Sequence, residues 1–502
     1  MSLPDLFVKT MHELLAAGAT DVLEALETQP VVSLRLNPAK AESPSLKPAL
    51  PDSPFDGAVP WASDGFYLKE RAAFTFDPLF HAGCYYVQEA SSMFLEQVVR
   101  GYVTGPVRAL DLCAAPGGKS TLLRTALPEG SLLVSNELIA PRAQVLVENM
   151  VKWGHPGCVV TNNAPSAFAA LPGFFDVVVA DVPCSGEGMF RKDPVAVAEW
   201  SEANIETCWR RGRDIIAACW ETLKPGGLLV YSTCTFNINE DEANVQWICE
   251  ELGAEVLPVR VKPEWGITGN LAGGLFPVYR FLPGRTRGEG FFLAVLRKQG
   301  TPEEDVGRRE AKRQNGRSSE SRGACSRCRV ATDEGKTKVR PAAKPMAVPQ
   351  ECREWLHDEM APSRLPLPFQ WQMDGGIVRA WPKALAGQIE QLSRSLRVLH
   401  AGVVVAELKG RDAVPAQSLA FSQALRREAF PEVPLTYAEA LAYLRKESLQ
   451  LSPEAPRGYV LLTFRGVPLG FAKNIGNRAN NLYPAEWRIR RAYLPDNEVR
   501  VV

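Results

Sequence analysis

Three residues of this chain stand where chemistry could be done: Asp181 and Cys184 in Asp181-Val-Pro-Cys184-Ser-Gly-Glu-Gly-Met-Phe190, and Cys234 in Tyr231-Ser-Thr-Cys234-Thr-Phe236. Each stretch follows an apolar run, Phe175 to Ala180 and Leu228 to Tyr231, that reads as a buried strand. An acid and two thiols therefore emerge at strand ends, and in open α/β sheets the ligand crevice lies beyond the carboxyl ends of the strands. A thiolate there is a nucleophile. Two thiols with an acid between them meet the needs of one difficult reaction, because carbon 5 of cytosine is a poor nucleophile. A thiolate adding to carbon 6 makes the ring an enamine whose carbon 5 can attack a methyl sulfonium, with Asp181 at the nitrogen-3 side. A second thiol, or a base, must then remove the carbon-5 proton so that the first can leave. The plainer reading is a Cys that only packs, since free Cys is among the most buried residue types. The residues themselves do not say which thiol attacks.

A methyl donor must lie beside these groups, and one loop suits it. Val107-Arg-Ala-Leu-Asp-Leu112 reads as a strand, and Cys113-Ala114-Ala115-Pro116-Gly117-Gly118-Lys119-Ser-Thr as a small-residue loop opening a helix, where main-chain N–H groups can approach a ligand. A second strand, Leu132 to Ser135, ends at Glu137, which follows Gly117 by 20 residues (137 − 117). That spacing suits a carboxylate on ribose hydroxyls. The loop has neither the glycines of a dinucleotide fingerprint nor the spacing of a P-loop, so pyrophosphate is disfavoured. S-adenosylmethionine fits better than NAD or ATP.

Around these motifs, strands and helices alternate from Val107 to Leu296, ending in the late apolar strand of Gly288-Glu-Gly-Phe291-Phe292. Before them, a helical opening (Leu3 to Leu26) and a short strand near Arg35 and Asn37 suggest a small α+β domain. Phe74 to Met93 mixes aromatics with Gln88, Glu89, Ser91 and Ser92, which suits either stacked bases or a domain seam. Residues 301–350 hold no aromatic residue and carry twelve Lys/Arg against seven Asp/Glu, as a basic disordered linker would. Its Cys325 and Cys328, with Cys352 and His357, form too incomplete a pattern for zinc, so no metal is expected. Lys+Arg and Asp+Glu both number 57 in the 502 residues, so RNA would be held by local patches rather than by a global field. Eleven cysteines without framework spacing fit a reducing cytoplasm, and no apolar run approaches the ~20 residues of a membrane span. The Gly- and Arg-bearing end, including Lys473, Arg478 and Arg490, suggests an RNA-binding accessory domain whose removal, with the linker, leaves the cofactor site intact.

Leu110-Asp-Leu-Cys-Ala-Ala-Pro-Gly-Gly-Lys-Ser-Thr121, Asp181 to Gly188 and Tyr231 to Phe236 together resemble the Nop/Sun family of RNA 5-methylcytosine methyltransferases. The extension Glu187 to Asp193 and the C-terminal region look like bacterial RsmF-type enzymes that modify small-subunit ribosomal RNA. The resemblance implies an α/β fold: a Rossmann-like class I methyltransferase core (101–298), a small α+β RNA-binding domain before it (1–100), the linker (299–349), a first C-terminal domain (350–425) and a PUA-like RNA-binding region (426–502). It also implies that Cys234 is the nucleophile, Cys184 the releasing residue and Asp181 a base and cofactor contact. Residues Cys113 to Lys119 and Glu137 would hold S-adenosyl-L-methionine, with Asn162 or Asn163 at the adenine, where an Asp is often found. The implied partner is 16S ribosomal RNA or the assembling 30S subunit, met by a cytoplasmic monomer without a membrane. Transfer RNA as substrate, or a non-catalytic ribosome-assembly factor, are the alternatives. Gly212, where Gln is common in the family, costs a helix ~1 kcal/mol relative to Ala and asks for a local reason.

Overall fold

The computed structural model describes residues 3–40, 54–300, 347–357, 359–360, 365–366, 368–410, 412–491 and 493–502. The linker apart from its ends, with Cys325 and Cys328, lies outside them. The helical opening is two helices, Asp5–Leu15 and Ala19–Leu26, because Ala16 at φ 48° turns the chain between them. An antiparallel sheet follows, with β1 (Ser33–Leu36), β2 (Phe55–Ala58), β3 (Gly65–Leu68) and β4 (Tyr85–Tyr86) in the order β2-β3-β1-β4.

The central sheet is built from β5 (Arg108–Asp111), β6 (Leu132–Asn136), β7 (Cys158–Thr161), β8 (Phe175–Asp181), β9 (Leu223–Thr233), β10 (Ala254–Leu257), β11 (Tyr279–Phe281) and β12 (Phe291–Lys298). Val and Leu dominate these strands because both faces are covered, as parallel sheets require. The order β10-β12-β9-β8-β5-β6-β7 runs outward from β5 to β7 and then resumes on the other side at β8. This reversal between β5 and β8 is where an open α/β sheet binds its ligand. The late strand β12 is inserted antiparallel between β9 and β10 instead of closing the edge.

Beyond the linker, β13 (Glu359–Met360) pairs with β14 (Leu365–Pro366), and β15 (Phe369–Asp374), β16 (Ile377–Pro382), β18 (Val403–Lys409) and β19 (Asp412–Pro415) form a sheet of their own. Between them β17 (Val398–Ala401) leaves that sheet and pairs antiparallel with β7, becoming the edge strand of the central sheet. Trp381, Leu385, Ile389 and Leu392 pack into the same core as β8 and β9. The last sheet, β20 (Glu432–Pro434), β21 (Gly458–Phe464), β22 (Val467–Asn474) and β23 (Ala479–Asn481), shares a core with the first domain: Leu34, Phe76, Leu79 and Tyr85 meet Leu441, Tyr443 and Tyr483. The C-terminal residues are therefore built into the molecule, and their removal would uncover core faces of the central sheet and of the first domain.

Candidate active site

Strands β8 and β9 run parallel with Asp181 opposite Ser232, so the loops after them rise at the same end of the sheet. This brings Cys184 Sγ to 3.1 Å from Cys234 Sγ, and Cys234 N donates to Cys184 Sγ over 3.3 Å. The loops are bolted together by buried carboxylates. Glu187, on the Cys184 loop, accepts from Phe236 N and Thr235 Oγ1, both at 2.8 Å, and from Trp200 Nε1 at 2.9 Å. Glu240, after Cys234, accepts from Ser185 N at 3.0 Å and from Asn237 Nδ2 at 2.7 Å. Gly188 N donates to Cys234 O at 2.9 Å, and a Cβ at Gly188 would sit 2.7 Å from the Gly290 backbone. Only glycine permits this approach.

Residues Asn239 to Glu242 read as the start of a helix with its acids at the favourable N-terminal end; the helix runs from Glu242 with Asp241 at its cap, and Glu240, Asp241 and Glu242 are buried. Asp241 and Glu242 pair with buried Arg280 on β11. Arg280, Glu187 and Glu240 have no site role in the sequence reading. The one signal for Arg280 was a lone cation in the apolar stretch Tyr279 to Phe281. Gly212 acquires its local reason here: a Cβ would lie 3.2 Å from Asn244 Nδ2, which donates to Tyr231 Oη at 2.9 Å below the thiols.

Above the strand ends opens a cleft of about 1220 Å³, lined on the sheet side by Cys113 to Pro116, Gly118, Lys119, Asp181 and Cys234. Cys234 lines it and Cys184 does not. Lys119 Nζ donates to Asp181 Oδ2 and Ser232 Oγ to Asp181 Oδ1, both at 2.8 Å. Burial pulls the Lys119 ammonium down, but the paired Asp181 outweighs it and the net shift is upward. The hydrogen bond to Cys234, then burial, pushes the Cys184 thiol well above the ordinary cysteine range. Burial also raises the Cys113 thiol, so that it stays protonated. Gly117 takes φ 118° as the cap of the helix Gly118–Ala126, and a Cβ at Gly118 would lie 3.3 Å from the Tyr86 ring. The opposite wall is the first domain, through Tyr86, Gln88, Glu89 and Ser92. The aromatic stretch Phe74 to Met93 thus serves as a domain seam through Phe76 and Tyr85 and faces the cleft through its later residues.

Glu137 lies just after β6, with Oε1 accepting from Ile139 N at 2.9 Å and Oε2 3.8 Å from Arg142. Asn162 Nδ2 holds the backbone there, donating to Glu137 O at 2.8 Å and Leu138 O at 2.9 Å. Asn162 or Asn163 is expected at an adenine, and the Asn163 amide is engaged by the backbone of Arg397, the residue before β17. Its Oδ1 accepts from Arg397 N at 3.0 Å and its Nδ2 donates to Arg397 O at 3.1 Å. Neither Glu137 nor Asn163 lines the cleft. Among the described residues no group of three or more His, Cys, Asp or Glu is placed to hold a metal ion, and no helix is long and apolar enough to cross a membrane.

Residues 105–297 match the family model of the 16S rRNA methyltransferase RsmB/F, residues 3–90 that of the N-terminal domain of 16S rRNA methyltransferase RsmF, and residues 430–489 that of the methyltransferase RsmF PUA domain. The ribosomal RNA small subunit methyltransferase F of Citrobacter koseri is 30% identical over 504 residues, covering 96% of each chain. The chain belongs to the RsmF family of 16S rRNA methyltransferases. The Klebsiella pneumoniae member is 30% identical over 85% of this chain and 84% of its own. Among solved structures, a methyltransferase homolog protein from Pyrococcus horikoshii is 27% identical, with a TM-score of 0.51, over 59% of this chain and 95% of that one. NSun6 from Pyrococcus horikoshii, solved with SFG, shares the fold at 19% identity and TM-score 0.51 over 59% of this chain and 99% of that one. The RsmF family thus has a Rossmann-like sheet here, preceded by its N-terminal domain and followed by a PUA domain.

Proposed function

We propose that the protein methylates carbon 5 of a cytosine in 16S ribosomal RNA, in the cytoplasm and as a monomer, through a covalent bond between Cys234 and carbon 6 of the base. The observation that carries this reading is the pair of thiols 3.1 Å apart, of which Cys234 alone lines the cleft. S-adenosylmethionine, when bound, supplies an electrophilic methyl group. The small residues Cys113 to Pro116, with Gly118 and Lys119, line the cleft and would hold its nucleoside, and Glu137, just after β6 and outside that lining, is the carboxylate proposed for its ribose.

Cys234 Sγ bonds to carbon 6, and the displaced electron pair makes carbon 5 nucleophilic. Asp181, fixed by Lys119 and Ser232, stands at the nitrogen-3 edge and orients the ring. Cys184 keeps its proton while Cys234 is a neighbouring thiol or thiolate. Once Cys234 is bonded to carbon, the largest of the causes that raised the Cys184 thiol is removed, while burial and the Glu240 charge still act on it. After carbon 5 has taken the methyl group, Cys184 loses its thiol proton to solvent and its thiolate takes the carbon-5 proton; the electron pair of that C–H bond restores the ring double bond as the carbon–sulfur pair returns to Cys234 Sγ. The order of roles rests on the family resemblance, is supported by Cys234 lining the cleft where Cys184 does not, and is tested by trapping on RNA. Cys234→Ala should form neither product nor adduct, whereas Cys184→Ala should accumulate a protein–RNA complex that survives a denaturing gel. An adduct in the Cys234→Ala variant, or methylation by both variants without one, sinks the mechanism.

A further inference from the structure

The cleft is larger than the ~300–1,000 Å³ typical of a pocket for one small molecule, so it has room for more than a cofactor. On its outer part the segment after β3 brings three exposed charged side chains, Lys69, Glu70 and Arg71, to the lining. Lys69 and Arg71 follow β3 directly, are exposed, and make no ion pair among the described residues. Arg71 is braced over the Phe74 ring at 5.8 Å. Arg287 joins them from before β12, its guanidinium 4.2 Å from the Tyr67 ring of β3 and paired with Asp56 of β2. The other cations of the lining have carboxylate partners: Lys119 has Asp181, and Lys192 shares buried Glu289, at 3.5 Å, with Arg191 at 2.8 Å. In a chain of zero formal charge, two cations without an ion pair among the described residues, against the one exposed carboxylate of Glu70, leave this lip net positive and mark a place where an anion is expected from outside.

Chemistry on a base requires that the base leave its stack and enter the pocket, and the backbone on either side must be held while it does so. Phosphate contacts do this work, fixing register without reading sequence. We propose that Lys69 and Arg71, on the exit of β3, bind the RNA phosphates flanking the target nucleotide, so that the first domain clamps the strand across the mouth of the cleft. This rests on the reading of the cleft as the site of an extruded cytosine. The two residues are positioning residues, since they touch neither the thiols nor the cofactor loop.

The test uses the full-length protein saturated with S-adenosylhomocysteine and a labelled single-stranded RNA of about a dozen nucleotides containing one cytosine. A second RNA carries neutral methylphosphonate linkages on both sides of that cytosine. The variant is Lys69→Glu with Arg71→Glu, both exposed, with its thermal melt compared with the parent. Holding one phosphate fewer should lower the steepness of log affinity against log salt by ~1, so the variant's slope should be shallower by about two. The parent should bind the neutralised RNA more weakly than the natural one, and the variant should bind the two alike. An unchanged salt slope, or an equal weakening on neutralisation in parent and variant, overturns the proposal. So does a fall in S-adenosylhomocysteine affinity in the variant, which would assign the segment to the cofactor. Because binding is read without turnover, a protein that passes this test yet forms no 5-methylcytosine would sink the proposed function and leave the clamp standing.

Discussion

At the scale of single residues, two thiols 3.1 Å apart matter only if nothing lets them drift, and Glu187 is the side chain that prevents it. Its carboxylate accepts from three donors, two on the opposite loop. Glutamine would keep an oxygen for Thr235 and Phe236 but turn an N–H toward that of Trp200, leaving a buried donor unmatched at about 1–3 kcal/mol. Glu187→Gln should therefore lower kcat by ~10–100-fold, the loss expected of a small misplacement of reacting groups, with KM for S-adenosylmethionine unchanged. Steady-state kinetics within twofold of the parent would show that the loops do not depend on it. The candidate residues Asp181, Cys184 and Cys234 were legible in the sequence because strand ends have a local signature, an apolar run and then Asp, Cys or Gly. Glu240 and Arg280 were not, since what they bind comes from elsewhere in the chain. Nor could the sequence show that Asn163 is taken up by Arg397, 234 residues away.

At the scale of elements, the strands and helices of the central sheet were legible from period and punctuation. Pro141 opens and Gly154, at φ 86°, closes the helix Ala140–Trp153, and Ser201 Oγ caps the helix Glu202–Cys219 by accepting from Asn204 N at 3.2 Å. Adjacency of strands was not legible, and β17 is the clearest case. Four residues, Val398–Ala401, sit more than 200 positions from their partner β7, beyond the basic linker, so no local pattern could join them. The consequence can be measured. A chain ending at residue 300 loses β17, uncovers the β7 edge, and exposes core faces now covered by Trp381, Ile389 and Leu392. Burying each such side chain is worth ~1.5–3 kcal/mol. The truncated protein should aggregate, or melt at a markedly lower temperature, and should bind S-adenosylhomocysteine more weakly. A monomeric fragment with the parent's melting temperature and affinity would contradict this.

At the scale of the whole molecule, the first domain and the last close on one another through a shared core, and Asp77 sits at that seam. It caps a short helix by accepting from Leu79 N at 2.9 Å and accepts from Tyr85 Oη at 2.8 Å. Burial nevertheless pushes its carboxyl up to about 6 from an ordinary value of 3.8. A folded-state value above the unfolded one means that folding favours the protonated acid. Its contribution is therefore fully present below about pH 4 and is lost as pH rises through about 6, on the order of 3 kcal/mol across that window. Asp77→Asn should flatten the dependence of stability on pH between 4 and 6, read by denaturant melts at fixed temperature, and a parallel profile in the two proteins would remove Asp77 as its source. The same seam has a meaning in time. Tyr85 and Leu435 lie in one core but 350 residues apart in synthesis (435 − 85), a delay of roughly 20–70 s at ~5–20 residues per second. Throughout that interval the apolar face of the first domain waits uncovered on the ribosome, and the nascent chain is then a natural client for a chaperone.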